Sequence, residues 1–67
     1  MYNINDLYKK AVYINNNEIE YEYYVVLDWW KDESGFTYVR IENTNTGATF
    51  DIDSSLMNYM EKVLTDE

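Results

Sequence analysis

The stretch from Glu18 to Trp30 alternates between two kinds of side chain over its whole length. Its odd-numbered positions are all apolar or aromatic, and they are Ile19, Tyr21, Tyr23, Val25, Leu27 and Trp29. Its even-numbered positions mix acidic with apolar and aromatic side chains, and they are Glu18, Glu20, Glu22, Tyr24, Val26, Asp28 and Trp30. Because successive side chains of a strand point to opposite faces of a sheet, this stretch predicts one long strand. The odd row is expected to face the core, and the even row is expected to face solvent.

The segment that follows is predicted to pair with this strand as a hairpin. Glu33-Ser34-Gly35, with Gly35 in the left-handed conformation, is a favoured three-residue hairpin loop. The loop sets the register, which pairs Asp32 with Phe36, Trp30 with Tyr38, Trp29 with Val39, Asp28 with Arg40 and Leu27 with Ile41. The apolar rows then share one face, and Asp28 and Arg40 form an opposite-charge pair on the other. A slip by one residue would break both matches.

Both ends of the chain are predicted to be helical. Residues 3–11 are expected to form a short helix, with Asn3 or Asn5 as its cap. Apolar side chains recur there at helical spacing, and they are Ile4, Leu7, Tyr8 and Ala11. A second helix is expected after the cap candidates at 53–55, with an apolar face of Leu56, Met60, Val63 and Leu64. Residues 65–67 are expected to form a frayed acidic end.

The remaining segments complete the expected sheet. Residues 11–14 favour either a short strand, joined to the long strand through a turn at 15–17, or a continuation of the first helix. Residues 44–47 are predicted to be a turn, and residues 48–52 are predicted to be a further strand. The predicted fold class is α+β, a small antiparallel β-meander of three or four strands with a short N-terminal helix and a C-terminal helix. We expect a single domain over residues 1–67.

The composition argues against several classes of function. The chain of 67 residues has no cysteine and no histidine, so it has neither a thiolate nor an imidazole for catalysis or transition-metal binding. Its net charge of -8 disfavours direct binding to nucleic acid and to anionic membranes, because both attract basic side chains. No signal peptide and no apolar run of membrane-spanning length are present, so we expect a cytoplasmic protein.

The candidate catalytic and metal-binding residues fit simpler roles. Glu20 and Glu22 are expected ~7 Å apart on one strand face, near the carboxylate spacing of glycosidases, but so small a domain has no room for a substrate cleft. Residues 43–47 resemble the start of a calcium loop, yet the glycine falls at position five and Ser54 at position twelve, so a hairpin turn fits better. Asp51 and Asp53 would bind a hard cation only weakly. We therefore expect no enzyme, no cofactor and no metal.

The solvent-facing row is the remaining candidate site. The expected partner-binding residues are Glu18, Glu20, Glu22, Tyr24, Trp30, Asp32, Tyr38, Glu42 and Asp51. Aromatic side chains ringed by polar groups are typical of an interface hot spot. We therefore predict a small acidic inhibitor or adaptor that occupies a basic, nucleic-acid-binding site of a host protein, with carboxylates standing in for phosphates as in a DNA mimic. In composition it resembles small acidic anti-defence proteins of phages and mobile elements, which would place it in the host cytoplasm.

Two other functional hypotheses stand beside this one. The alternative is a homodimeric structural or assembly module, in which the tyrosine and tryptophan face pairs with a second copy. A third is a domain whose acidity serves solubility alone. Within the fold, the aromatic side chains also have simpler explanations, because one of the helices covers this face, or because Trp30 packs on Tyr38 and shields the Asp28–Arg40 pair.

Overall fold

The protein is a five-stranded antiparallel sheet, seen in a computed structural model that describes residues 2–64. The strands run in the order β4-β3-β2-β1-β5, and they are β1 (Leu7–Asn15), β2 (Glu18–Lys31), β3 (Thr37–Asn43), β4 (Thr49–Asp53) and β5 (Glu61–Lys62). A 3₁₀ helix, Ser54–Tyr59, joins β4 to β5. Over the described residues, no helix is long and apolar enough to span a bilayer.

The predicted N-terminal helix is wrong, because the segment from Leu7 to Asn15 is strand β1. Asn5 adopts a positive φ of 75°, a conformation that stops a right-handed helix in its first turn. A nine-residue helix is marginal on its own, whereas the same residues gain a full ladder against β2, from Leu7 opposite Val25 to Tyr13 opposite Ile19. The alternative of a strand at 11–14 joined to β2 through a turn is correct in type, but the strand is longer than predicted and the turn comprises only Asn16 and Asn17.

The predicted C-terminal helix is also wrong. The segment forms only the short 3₁₀ helix, and Met60 returns to an extended conformation with φ -115° and ψ 160°. Of the three cap candidates at 53–55, Asp53 is the N-cap, since its carboxylate accepts a hydrogen bond from the Ser55 amide at 2.9 Å. The extended conformation is favoured over the helix after Met60 because β5 pairs with the edge of β1, where the Val63 amide donates to the Leu7 carbonyl at 2.8 Å. The fold class is therefore an antiparallel sheet and not α+β; the predicted frayed end at 65–67 lies outside the described residues.

The hairpin of β2 and β3 has the predicted register near its loop. Asp28 lies opposite Arg40, Trp29 opposite Val39 and Trp30 opposite Tyr38. The loop closes as expected, with Gly35 at φ 91° and the Asp32 amide donating to the Phe36 carbonyl at 2.9 Å.

The predicted pairing of Leu27 with Ile41 is wrong. A β-bulge lies between Val26 and Asp28, so that Val26 pairs with Ile41 instead. The extra residue at Leu27 exchanges the two faces for every residue of β2 that precedes it, because side chains alternate with a period of two.

The core lies on one face of the sheet, called here the core face. Its buried hydrophobic residues are Tyr24, Val26, Val39, Ile41 and Met57. Met57 belongs to the 3₁₀ helix, which passes over this face on its way to the far edge. The other face, called here the open face, has no covering element among residues 2–64. The prediction of a core-facing odd row in β2 is therefore correct for Trp29, beyond the bulge, and wrong before it.

Candidate protein-binding site

The β-bulge divides the predicted partner-binding residues between the two sheet faces. Before the bulge, the even-numbered Glu18, Glu20, Glu22 and Tyr24 share the core face with Val26. After it, the even-numbered residues of β2 lie on the open face. The predicted residues on that face are Trp30 of β2, Tyr38 and Glu42 of β3, and Asp51 of β4. Asp32 lies in the loop between β2 and β3. The structure therefore separates an acidic group from an aromatic group that the sequence had placed on one surface.

The three glutamates form an exposed row at the end of the β1–β2 hairpin, called here the acidic row. The 3₁₀ helix does not reach this end, so all three carboxylates are in solvent although they lie on the core face. Glu18 accepts a hydrogen bond from the Asn15 amide nitrogen Nδ2 at 3.0 Å. None of the three takes part in an ion pair of the described residues, although Lys10 lies opposite Glu22 in the ladder.

Tyr24 supports the acidic row from within the core. Its side chain is only 8% exposed, and its ring meets that of Phe50 edge-on at a centroid distance of 6.5 Å. Its hydroxyl donates to Glu22 Oε1 at 2.8 Å. Burial, and next the hydrogen bond to Glu22, raise the pKa of Tyr24 above its ordinary value. Tyr24 thus positions Glu22 and has little surface to offer a partner directly.

The aromatic group on the open face is engaged in contacts of its own. Trp30 and Tyr38 stack at a centroid distance of 6.1 Å and an angle of 25°, and the Arg40 guanidinium lies 5.3 Å from the centre of the Trp30 ring. Arg40 donates from Nε to Asp51 Oδ1 at 2.7 Å and from Nη2 to Oδ2 at 3.1 Å. This bidentate contact lowers the pKa of the Asp51 carboxyl. The cluster matches the explanation in which Trp30 packs on Tyr38.

The partner of Arg40 differs from the one that strand pairing suggested. Asp28 lies opposite Arg40 in the ladder, as predicted, yet Asp51 of β4 makes the ion pair. The Asp28 carboxylate instead accepts from the Trp29 amide at 2.8 Å. Since Arg40 lies in a central strand, it has an acidic neighbour on each side, and the sequence alone offers no way to choose between them.

The two other predicted acidic residues have separate surroundings. The Asp32 carboxylate accepts hydrogen bonds from the amides of Ser34 at 2.9 Å and Phe36 at 3.0 Å, so it stabilises the loop. Glu42 lies on the open face opposite Thr49. The Asn43 side chain stabilises the next turn in the same way, because its Oδ1 accepts a hydrogen bond from the amide of Asn45 at 2.9 Å. Over the described residues, no group of three or more metal-binding side chains occurs.

Sequence analysis placed the apolar residues Ile19, Tyr21 and Tyr23 in the core, but the structure exposes them on the open face of the hairpin. Ile19, Tyr21 and Tyr23 are 52%, 46% and 40% exposed, and the Lys9 ammonium lies 4.7 Å from the centre of the Tyr21 ring. The one available signal was the run Val25-Val26-Leu27, where the alternation of apolar and polar residues is interrupted. A β-bulge, which adds one residue to a strand, can lie at such a position without placing a polar side chain in the apolar row.

An apolar groove of about 540 Å³ lies on the core face beside the 3₁₀ helix. Its walls include Ile41 and Phe50 from the sheet and Leu56 and Met60 from the connection, with Lys10 at its margin. Phe50 and Leu56 are both exposed, because a short 3₁₀ helix covers less of the sheet than a longer α-helix would.

No protein-family model, no curated protein and no solved structure matches this chain.

Proposed function

We propose that this protein is a small acidic binding protein that occupies a basic site on another protein, of the kind that binds nucleic acid. The observation that carries the proposal is the acidic row, in which three exposed carboxylates repeat at every second residue on one face of a strand. The proposal places the protein in the cytoplasm, where such partners act on nucleic acid.

The acidic row lies in a segment that carries charge of one sign only. Residues 13–22 contain three glutamates and no lysine or arginine. The three ion pairs of the described residues, Lys9–Glu61, Arg40–Asp51 and Lys62–Asp6, all lie outside this segment. Because none of these ion pairs neutralises the row, it attracts a basic surface and repels an acidic one.

The geometry of the row suits a basic groove. Two residues of a strand advance ~6.6–6.8 Å, so that the three carboxylates span ~13 Å in a nearly straight line. One strand of DNA carries a charge every ~3.4 Å of axis, and the row therefore supplies about half that charge density over a short distance. The end of the hairpin that carries the row contains only β1 and β2, because β3 pairs with β2 from Tyr24 onward and β5 pairs with β1 at Tyr8 and Lys9.

Charge reversal within the row tests this proposal. We expect a basic DNA-binding protein retained from cell lysate by the wild-type chain to lose affinity for Glu20→Lys by about tenfold or more, equivalent to ~1.4 kcal/mol. Glu33→Lys is the matched control, because it makes the same change of charge at an exposed loop position. Wild-type binding should weaken as salt rises.

Competition supplies the second part of the test. The wild-type chain should displace DNA from the captured protein in a gel-shift assay, and the Glu20→Lys variant should not. If both variants bind like the wild type, or if DNA and this chain bind together, the acidic row does not occupy a nucleic-acid-binding site.

A second candidate function is self-assembly through the open face, and the exposed row of Ile19, Tyr21 and Tyr23 favours it. Aromatic side chains at this level of exposure bury a large apolar area when two copies meet. Light scattering at high protein concentration separates the two candidates. A dimer that Tyr21→Ser abolishes supports assembly, whereas a monomer at millimolar concentration excludes it.

A further inference from the structure

Strand β2 has neighbours on both of its sides only near its middle. Its first part, from Glu18 to Val25, pairs with β1, and its last part, from Tyr24 to Lys31, pairs with β3. The segment Glu18–Glu22 therefore has β1 on one side and, among residues 2–64, no strand on the other. We call the unpaired side of this segment the free edge.

The backbone groups that point at the free edge follow from two hydrogen bonds. The Tyr23 carbonyl accepts from the Thr44 amide at 2.9 Å, on the side of β3. The Val26 amide donates to the Asp6 carbonyl at 2.9 Å, on the side of β1. Since backbone groups alternate along a strand, the odd-numbered Ile19 and Tyr21 direct both N–H and C=O to the free edge. These groups can pair with an added strand without displacing any contact of the fold.

A notch in the surface adjoins the free edge. It measures about 420 Å³ and lies between residues 20–23 of β2 and the turn at 43–46. It continues the line of β3, which ends at Asn43. An extended segment placed there would add to β2 where β3 leaves off, and the antiparallel sheet would be complete along β2.

The side chains that flank the free edge specify what such a segment contains. Glu20 and Glu22 stand on the core face, while Ile19 and Tyr21 stand on the open face. A segment that pairs here would gain from basic side chains on one face and apolar side chains on the other, because cross-strand neighbours interact directly. A second copy of this edge would instead place glutamates beside glutamates, which is destabilising.

We propose that the free edge of β2 binds an extended segment of a partner protein by strand addition, and that this segment alternates basic with apolar side chains. The mode is one of the general ways in which sheets recognise peptides: main-chain hydrogen bonds contribute affinity and alternate side chains contribute specificity. The inference rests on the proposed function, and it names how the basic partner is held.

The test uses a synthetic seven-residue peptide that alternates Lys with Val, titrated into ¹⁵N-labelled full-length protein. We expect the amide chemical shifts of Ile19 and Tyr21 to change on binding, and the hydrogen exchange of these two amides to slow. A peptide with Glu in place of Lys should bind at least tenfold more weakly, because it sets like charges beside Glu20 and Glu22.

Backbone methylation distinguishes strand addition from charge attraction alone. Two versions of the Lys–Val peptide carry N-methyl groups on alternate residues, one set on the Lys positions and one on the Val positions. Strand addition requires one set of amides to face β2, so one version should lose about tenfold or more in affinity while the other keeps most of it.

The possible outcomes separate the inference from the proposed function. Equal affinity of the two methylated peptides, with no protection of Ile19 and Tyr21, would overturn strand addition while leaving an acidic binding site in place. Equal affinity for the peptides with Lys and with Glu would overturn both strand addition and the acidic binding site.

Discussion

The substitution Met57→Ala offers a direct test of how the 3₁₀ helix stabilises the sheet. Met57 is 3% exposed and is the buried residue of this helix, whereas its neighbour Leu56 is 47% exposed. Each substitution to alanine removes three heavy atoms beyond Cβ. At ~0.8 kcal/mol for each fully buried methylene-sized group, their loss lowers the free energy of unfolding by ~2.4 kcal/mol. Leu56→Ala should cost about half as much, ~1.2 kcal/mol, because half of its side chain is already in water.

A cavity increases the difference between the two variants. Met57 packs against a core of only a few large residues, so the sheet cannot close fully around the missing side chain and the loss should reach about 3 kcal/mol. The total stability of a chain of 67 residues is expected to be about 3–10 kcal/mol. Met57→Ala would therefore remove a large part of it, and Leu56→Ala would not.

Urea unfolding followed by tryptophan fluorescence measures both losses, since Trp29 and Trp30 report on the sheet. With a slope of ~1 kcal/mol/M for a small domain, the midpoint should fall by ~3 M for Met57→Ala and by ~1 M for Leu56→Ala. Circular dichroism at zero urea checks that each variant begins folded. Equal shifts for the two variants would refute the conclusion that Met57 anchors the 3₁₀ helix to the core face.

Two further predictions concern hydrogen exchange and pH. In the free protein, the amides of Ile19 and Tyr21 should exchange about tenfold or more faster than those of Glu20 and Glu22, which face β1, and uniform rates measured by NMR would contradict the free edge. The amide of Ser55 lowers the pKa of the Asp53 carboxyl, so the folded protein gains stability from this group above its unfolded pKa and loses it as the pH falls through the folded value. Urea unfolding between pH 7 and pH 2.5 should therefore show a smaller acid-induced loss of the free energy of unfolding in Asp53→Asn, which keeps a capping side chain. If the free energy of unfolding of this variant depended on pH as that of the wild type does, the assignment would be contradicted.

The sequence determined the local features of this protein. The alternation from Glu18 to Trp30 predicted the long strand β2, and Gly35 with its preceding residues predicted the loop and the register beside it. The three cap candidates at 53–55 predicted a helix start, and Asp53 caps the short 3₁₀ helix there. These features depend on residues near one another in the chain, and short-range geometry suffices to specify them.

Tertiary pairing decided what the ends of the chain became. Residues 3–11 carry a helical spacing of apolar side chains, yet the chain from Leu7 onward gains more from a ladder with β2 than a short isolated helix can supply. The last segment ends its helix at Tyr59 because the edge of β1 offers backbone partners to β5. Such long-range hydrogen bonds leave no local signal in the sequence.

The position of one extra residue decided the two faces of β2. Alternation predicts that two rows exist, but it does not say which row faces the core once a bulge intervenes, and Leu27 exchanges them. The acidic row and the aromatic cluster are therefore on different faces, and the apolar row from Ile19 to Tyr23 is exposed. The sequence supplied the chemical groups of the candidate site, while the pairing of β2 with both of its neighbours decided which of them lie together.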